Sequence, residues 1–343
     1  MKTIPTRLLT AAPESIAEAA ALLRRGELVG MPTETVYGLA ANALDGDAVR
    51  RIFVAKGRPQ DNPLIVHIAA WEELLPLVAA IPRGARQLAD AYWPGPLTMI
   101  FPKSDRIPPE VSGGLETVAI RMPSHPVAQA LIRESGCPLA APSANRSGSP
   151  SPTTAAHVLA DMDGRIAAIV DGGSCAVGLE STVVDLTGER ARLLRPGGIT
   201  VEMLRAVLGE VEVDSAVTQP LAEGAAAASP GMKYKHYAPA AHVILVKGTP
   251  EAYTAFVKEK AADGVAALCF EEEAPQLPVP CVTYGRQADA AEQAQQLFDA
   301  LRYLDTIGAH TVYAACPSAD GLGLAVYNRL IRAAGFEVIT LDG

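Results

Sequence analysis

The sequence predicts an α/β protein of two unequal parts, on three observations. Short β-branched runs, such as LIVHI at 64–68, alternate with stretches of helical period between residues 14 and 208. From Ser215 to Ala240 the pattern breaks, and Ala, Pro and Gly accumulate without periodicity. Alternation then resumes to the C-terminus, and a length of 343 residues suits two cores better than one.

In the first part, Glu14 to Arg25 reads as an amphipathic helix, with Pro13 at its first turn and Gly26 just past its end. Glu27–Met31 reads as a short apolar strand, Asp47–Ala55 as a helix and Leu64–Ile68 as a buried strand. Further helices are expected near Glu72–Ala80, Gly84–Tyr92, Pro126–Glu134, Thr154–Leu159 and Thr200–Leu208. Strands are expected at Leu97–Phe101, Val118–Arg121, Leu139–Ala141, Ala167–Val170, Ser181–Leu186 and Arg192–Arg195. The consecutive strands late in this run point to a mixed sheet. Residues 1–214 are thus expected as one domain, 215–240 as a linker and 241–343 as a second domain. In the last, strands at His242–Val246, Val265–Cys269, Cys281–Tyr284, Thr311–Ala315 and Glu337–Leu341 alternate with helices at Glu251–Ala261, Asp289–Asp305 and Leu324–Ala333. That is a small Rossmann-like α/β unit.

Composition narrows the function. Hydrophobic residues are 49% of the chain and charged residues 20%, which suits a packed core and excludes a disordered chain. Net charge is -9, and residues 241–343 hold 7 Lys/Arg against 13 Asp/Glu, so 7 − 13 = −6 falls there and −3 on the rest. That balance, with 5% aromatics, weighs against tight nucleic-acid binding. Five scattered cysteines without a CxxC pair suit reduced thiols, and neither an apolar leader nor a membrane-length run is present, so a soluble cytoplasmic protein is expected. No GxxxxGK[ST], GxGxxG fingerprint, HExxH or GxSxG occurs, so ATP binding would need another scaffold.

Five constellations carry chemistry. Pro32-Thr-Glu-Thr35-Val-Tyr-Gly38 follows a strand directly, where hydroxyls and a glycine let a substrate approach the backbone; an ordinary strand-to-helix turn is the competing reading. Lys56-Gly-Arg58 presents two cations where a helix gives way to a loop, as phosphate binding requires. Helix C-terminal cations explain those two but not the Asp61-Asn62-Pro63 that follows. His67, inside an apolar strand, reads by itself as a core residue. Pro142-Ser143-Ala-Asn145 supplies hydrogen-bonding side chains after a strand, or is a plain polar loop. Alternation in Thr117–Arg121 puts Thr117, Ala119 and Arg121 on one face, where Arg121 is placed to clamp a carboxylate or phosphate; a surface salt bridge is the competing reading. Gly178-Leu-Glu-Ser181 and Arg195-Pro-Gly-Gly198 each set polar groups beside glycine turns. Each is weak alone. Together they predict loops converging on one rim of one sheet around an anionic substrate.

PTETVYGLA, KGRPQDNPL, PSANRSGSPSPT, GLESTVVD and RPGG resemble the YrdC-like domain of threonylcarbamoyl-AMP synthases, and SPGMKYKHYAP and GLGLAVYNRLIRAA resemble that family's two-domain form. The resemblance spans nearly the whole chain. It implies a YrdC-like twisted mixed sheet flanked by helices, plus the smaller Rossmann-like domain. It implies a four-residue KxR/SxN set of Lys56, Arg58, Ser143 and Asn145. Thr35, His67, Arg121, Ala141 and Ser181 would line a threonine pocket. Arg58, Asn62, Thr117, Ser143, Ser151 and Arg195 would contact ATP, and Tyr234 or Tyr237 of a linker closing over the site would cover it. Mg2+ would accompany ATP, with no dedicated carboxylate cage for it in the sequence. The implied reaction joins L-threonine, bicarbonate or CO2, and ATP into threonylcarbamoyl-AMP, passed to a tRNA threonylcarbamoyl-transferase complex. Direct tRNA contact would be weak or indirect. The rival readings are an RNA-binding YrdC-like module, a carbamoyl-adenylate enzyme of hydrogenase maturation, and an inactive relative. The acidic balance weighs against the first, the second domain against the second, and the intact KxR/SxN set against the third.

Overall fold

A computed structural model of the chain describes residues 5–220 and 237–341. In the first part, eleven short strands form one sheet: β1 (Arg7–Leu9), β2 (Val29–Met31), β3 (Gly38–Asn42), β4 (Ile65–His67), β5 (Leu97–Pro102), β6 (Thr117–Arg121), β7 (Leu139–Ala140), β8 (Ala168–Val170), β9 (Thr182–Asp185), β10 (Ala191–Arg195) and β11 (Val211–Val213). Their spatial order is β1-β8-β2-β3-β7-β4-β6-β5-β9-β10-β11. The sheet is mixed: β4 pairs β6 in parallel, while β3 and β7, β4 and β7, and β5 and β6 pair antiparallel.

Seven helices accompany it: α1 (Pro13–Arg24), α2 (Gly46–Lys56), α3 (Ala85–Tyr92), α4 (Pro109–Ser112), α5 (Pro126–Ser135), α6 (Ala155–Met162) and α7 (Val201–Leu208). Polar caps mark several starts; Asp45 accepts from the amides of Asp47 and Ala48, and Thr200 from that of Met203. α2 stops at Lys56 because Gly57 turns left-handed at φ 62°, a conformation that suits glycine and that delivers Arg58 into the following loop.

Strand alternation sorts the core. Val118 and Ile120 join a large cluster with Val66, Met99 and the inward faces of α2 and α3. Ala119, of the opposite parity, packs instead with Ile65, Ile100, Val183, Leu194 and Ala216. At the far end of the sheet, α1 and α5 cover Val29, Met31, Leu139 and Ala141.

One expectation and one competing reading of local structure change. Residues 72–80 form two short 3-10 turns, Trp71–Glu73 and Leu75–Leu77, not a helix. Pro76 has no N–H to give the carbonyl four residues back, so the segment closes on i to i−3 bonds such as Leu77 N to Leu74 O, 2.9 Å. The turn after β2 leads not into a helix but into β3, an antiparallel partner of β2. Its sequence, GLAAN, has little β-branched content to announce a strand.

The second part is a five-stranded sheet of β12 (His242–Lys247), β13 (Val265–Cys269), β14 (Cys281–Thr283), β15 (Thr311–Ala315) and β16 (Val338–Thr340), in the order β14-β13-β15-β12-β16. Every pairing in it is parallel, so its strands are joined by crossovers, three of them through α8 (Pro250–Glu259), α9 (Ala290–Thr306) and α10 (Gly323–Ala333). This is the Rossmann-like architecture the sequence predicts.

The two sheets' assemblies dock tightly. Arg302 of α9 pairs with Asp161 at 2.7 Å and donates to the Pro150 carbonyl. Asn328 of α10 donates to the Val217 carbonyl at 2.7 Å. A Cβ on Gly178 would stand 2.5 Å from the backbone of Ala294 and Gln295, so the absence of a side chain is what lets α9 approach. Of the expected linker, Ser215–Val217 forms a 3-10 turn with Ala216 and Val217 buried, and residues 221–236 lie outside the described residues.

Candidate functional site

One pocket gathers most of the residues singled out in the sequence. Thr35, Arg58, His67, Arg121, Ala141, Ser143, Asn145, Ser181, Arg195 and Tyr237 all line it, with Glu180 among its further walls. It lies against a face of the first sheet, not only at its rim. Ile65 and His67, two apart on β4 and hence on one side, both form its floor.

The threonine turn is self-bonded. Thr33 Oγ1 accepts from the Thr35 amide at 3.2 Å and donates to the Val36 carbonyl at 2.6 Å. Arg121, at the end of β6, reaches this turn: Nη1 donates to Thr35 Oγ1 at 2.8 Å and Nη2 pairs with Glu34 Oε1 at 2.6 Å. Both charges are buried. Burial pushes the Glu34 carboxyl up, but the Arg121 charge and bond outweigh it and hold Glu34 below its ordinary value. Neighbouring His67 is buried too, and burial with the Arg121 charge pushes its pKa down to about 3, so the imidazole is neutral.

Lys56 has a different position from the one a phosphate ligand would hold. Its ammonium donates to the carbonyls of Ser143 and Asn145, the latter at 2.7 Å. Burial first, and the Arg58 charge next, push its pKa well below the usual lysine range. Two of its three N–H bonds therefore fasten the Ser143–Asn145 loop. Arg58 donates to the carbonyls of Asn62 and Pro63, both at 3.2 Å, and its guanidinium edges the pocket. Asn62 is fully buried beside it, and neither polar atom of its amide has a hydrogen-bond partner among the described residues. A buried amide without partners is costly, so this one suits a bound group or water.

Arg195, from the end of β10, donates from Nε to the Ser181 carbonyl at 3.0 Å and from Nη2 to Ser181 Oγ at 3.2 Å. Ser181 Oγ also meets Thr98 Oγ1 at 2.7 Å. Burial lowers Arg195 to about 10, and it stays cationic at neutral pH. Ser151 is fully buried behind the wall and donates to Glu180 Oε1. Thr117 shares the sheet face of Arg121 by parity but is not among the pocket's lining. Tyr237 is buried at φ 67°, and its ring centroid is 5.2 Å from that of Phe298. Tyr234 lies outside the described residues. Among the described residues, no group of three or more His, Cys, Asp or Glu side chains is arranged to hold a metal ion, and no helix is long and apolar enough to cross a membrane.

Sequence reasoning missed the two carboxylates. Glu34 and Glu180 sit inside motifs already singled out, but their cationic partners lie 87 and 149 residues away, and nothing local marks them.

Comparison with known proteins decides the family. Residues 21–197 match the family model described as "Telomere recombination", and residues 199–335 match that of the threonylcarbamoyl-AMP synthase C-terminal domain. The threonylcarbamoyl-AMP synthase of Bacillus subtilis (strain 168) is 51% identical over 94% of both chains. The chain belongs to the threonylcarbamoyl-AMP synthase family. A second member, from Pyrococcus abyssi (strain GE5 / Orsay), is 48% identical over 94% of both chains. The crystal structure of P. abyssi Sua5 complexed with L-threonine matches with a TM-score of 0.89 at 44% identity, covering 98% of this chain and 100% of that one. Threonylcarbamoyl-AMP synthases are nucleotidyltransferase-type enzymes, so the pocket is read as that of an enzyme.

Proposed function

We propose that this chain is an L-threonylcarbamoyladenylate synthase, converting L-threonine, bicarbonate or CO2, and ATP into threonylcarbamoyl-AMP and pyrophosphate. The observation that carries this reading is a single pocket walled by Arg58, Arg121 and Arg195 with the Ser143–Asn145 loop. The threonine bound to P. abyssi Sua5 supports an amino-acid substrate.

In this reading Arg121 takes the threonine carboxylate, while the Thr35 hydroxyl, Ser181 and the neutral His67 surround the rest of the amino acid over Ala141. The free threonine amine adds to CO2 and loses a proton to solvent, or condenses with bicarbonate and releases water, and in either case becomes a carbamate. A carbamate oxygen then attacks the α-phosphorus of ATP, the bond to the bridging oxygen breaks, and pyrophosphate leaves with its electron pair. Arg58 and Arg195, with Ser143 and the Asn145 loop that Lys56 fastens, hold the phosphates; Asn62 stands next to Arg58, Ser151 supports the nucleotide's wall from behind through Glu180, and Thr117 stands off the lining. Tyr237, or Tyr234, covers it. Mg2+ arrives with ATP as part of that substrate. Positioning and charge compensation supply the catalysis, since no side chain needs to exchange a proton with the phosphate. The product serves N6-threonylcarbamoyladenosine formation next to the anticodon of ANN-decoding tRNAs, in the cytoplasm, through a separate tRNA threonylcarbamoyl-transferase complex.

The test is pyrophosphate release from MgATP with bicarbonate, with and without L-threonine, and with L-serine as control. Threonine-dependent release with an adenylate product by mass spectrometry is expected. Folded protein without such release would sink the reading, and a salt-sensitive gel shift with tRNA would then favour a binding module.

A further inference from the structure

Arg329 sits in the middle of α10, in the second domain, and is the largest side chain there without solvent exposure. Its guanidinium crosses the domain interface. Nε donates to Glu180 Oε2 at 2.8 Å, Nη2 to the Glu180 carbonyl at 3.1 Å and Nη1 to the Pro196 carbonyl at 2.8 Å. Nη1 also donates to Asn328 Oδ1, and Cζ lies 5.9 Å from the centroid of the Tyr237 ring. One side chain thus fastens the GLES turn, the RPGG turn and the seat of Tyr237. Through Glu180 it also reaches Ser151, which donates to the other carboxylate oxygen.

Packing alone does not account for this. A buried ion pair is seldom more stabilising than apolar residues of the same volume. Glu180 also faces the pocket beside Arg195, where an anion is to be bound. With only Arg195 as its counter-charge, the carboxylate would neutralise the very cation the phosphates need. Arg329 bonds Glu180 directly and holds its carboxylate ionised more strongly than Arg195 does, so Glu180 offsets Arg195 less than it would as Arg195's partner alone.

We infer that Arg329 is a positioning residue for the nucleotide: acting through Glu180, it brings the second domain into the ATP site and preserves the positive charge of Arg195. The inference rests on the pocket being an ATP site, as proposed above.

Three variants test it: Arg329→Gln, Arg329→Lys and the double variant Glu180→Gln/Arg329→Gln. Each is checked by thermal unfolding, then by ATP and L-threonine affinity separately by calorimetry, and by KM and kcat from pH 6 to 9. Arg329→Gln is expected to weaken ATP binding and raise its KM about tenfold or more, the scale for a buried charge left without its partner. Threonine affinity should fall much less, because Ser181 follows Glu180 in the fastened turn while Arg121 and Thr35 make no contact with Arg329. ATP affinity in that variant should improve as pH falls, because the abandoned Glu180 takes up a proton, whereas the native chain stays flat. Arg329→Lys should fall between, since an ammonium cannot reproduce the fork. The double variant should recover most of the ATP affinity, because neither charge remains to cancel Arg195. Folded Arg329→Gln with native ATP affinity overturns the inference. So does equal loss of ATP and threonine binding in all three variants, which would make Arg329 merely structural, or a double variant no better than the single one. ATP affinity is read without turnover, so it decides the role of Arg329 even where threonine-dependent release fails and the proposed reaction falls. A native chain with no ATP affinity overturns both.

Discussion

His67 gives the molecule a calculable response to acid. Its ordinary pKa is 6.5, and in the fold burial and the Arg121 charge lower it to about 3. A histidine lowered on folding stabilises nothing at pH 8, where both states are neutral. As pH falls below 6.5, the unfolded chain binds a proton that the folded chain refuses, and stability drains away until the pH reaches the folded value. At pH 5 the loss is RT ln(1 + 10^1.5), about 2 kcal/mol, from the linkage relation. The chain has only two tryptophans, Trp71 and Trp93, whose ring centroids lie 6.2 Å apart against the first sheet's core, so their fluorescence reports unfolding around that core. Urea unfolding at pH 8 and pH 5 is compared between the native chain and His67→Gln, which cannot titrate. Other groups titrate in both, and their effects cancel in the difference. The native chain should lose about 2 kcal/mol more than the variant between the two pH values. A difference below about 0.5 kcal/mol, near the uncertainty of such extrapolations, would refute the neutral buried imidazole.

Three further outcomes are expected. Arg195→Met should lower kcat/KM for ATP by about 30- to 1,000-fold, the effect of removing one preorganised charge of roughly 2–4 kcal/mol, read by pyrophosphate release; a change within threefold, about 0.7 kcal/mol, would deny it contact with the phosphates. Lys56→Met strands the buried carbonyl of Asn145 and the half-buried one of Ser143, so urea unfolding should show a loss of about 2 kcal/mol or more, together with lost turnover. Native stability in that variant would mean the loop does not depend on the ammonium. Gly178→Ala drives a Cβ into the backbone of Ala294 and Gln295, so it should split thermal unfolding into two transitions and weaken ATP binding; a single unshifted transition would count against tight docking.

The sequence alone determined the α/β class, the mixed first sheet and the parallel second one, and it marked the motifs from which most of the pocket's lining comes. These are local properties. Periodicity marks strands such as Thr117–Arg121, glycine and proline punctuate them, and motifs such as KGR and PSAN put polar groups where strands end. Tertiary structure decided how those groups are used. Nothing in the sequence turns Lys56 inward onto two carbonyls, pairs Glu34 with Arg121, or runs Arg329 across an interface to Glu180. Local propensity also misjudged residues 72–80, where Pro76 broke the helical period, and it gave no signal at residues 38–42, where pairing with β2 and β7 made a strand of small residues. The physical reason is the same in each case. Burial raises the cost of every unpaired charge and backbone group, and the partner that removes this cost is chosen by proximity in space, which sequence separation does not record.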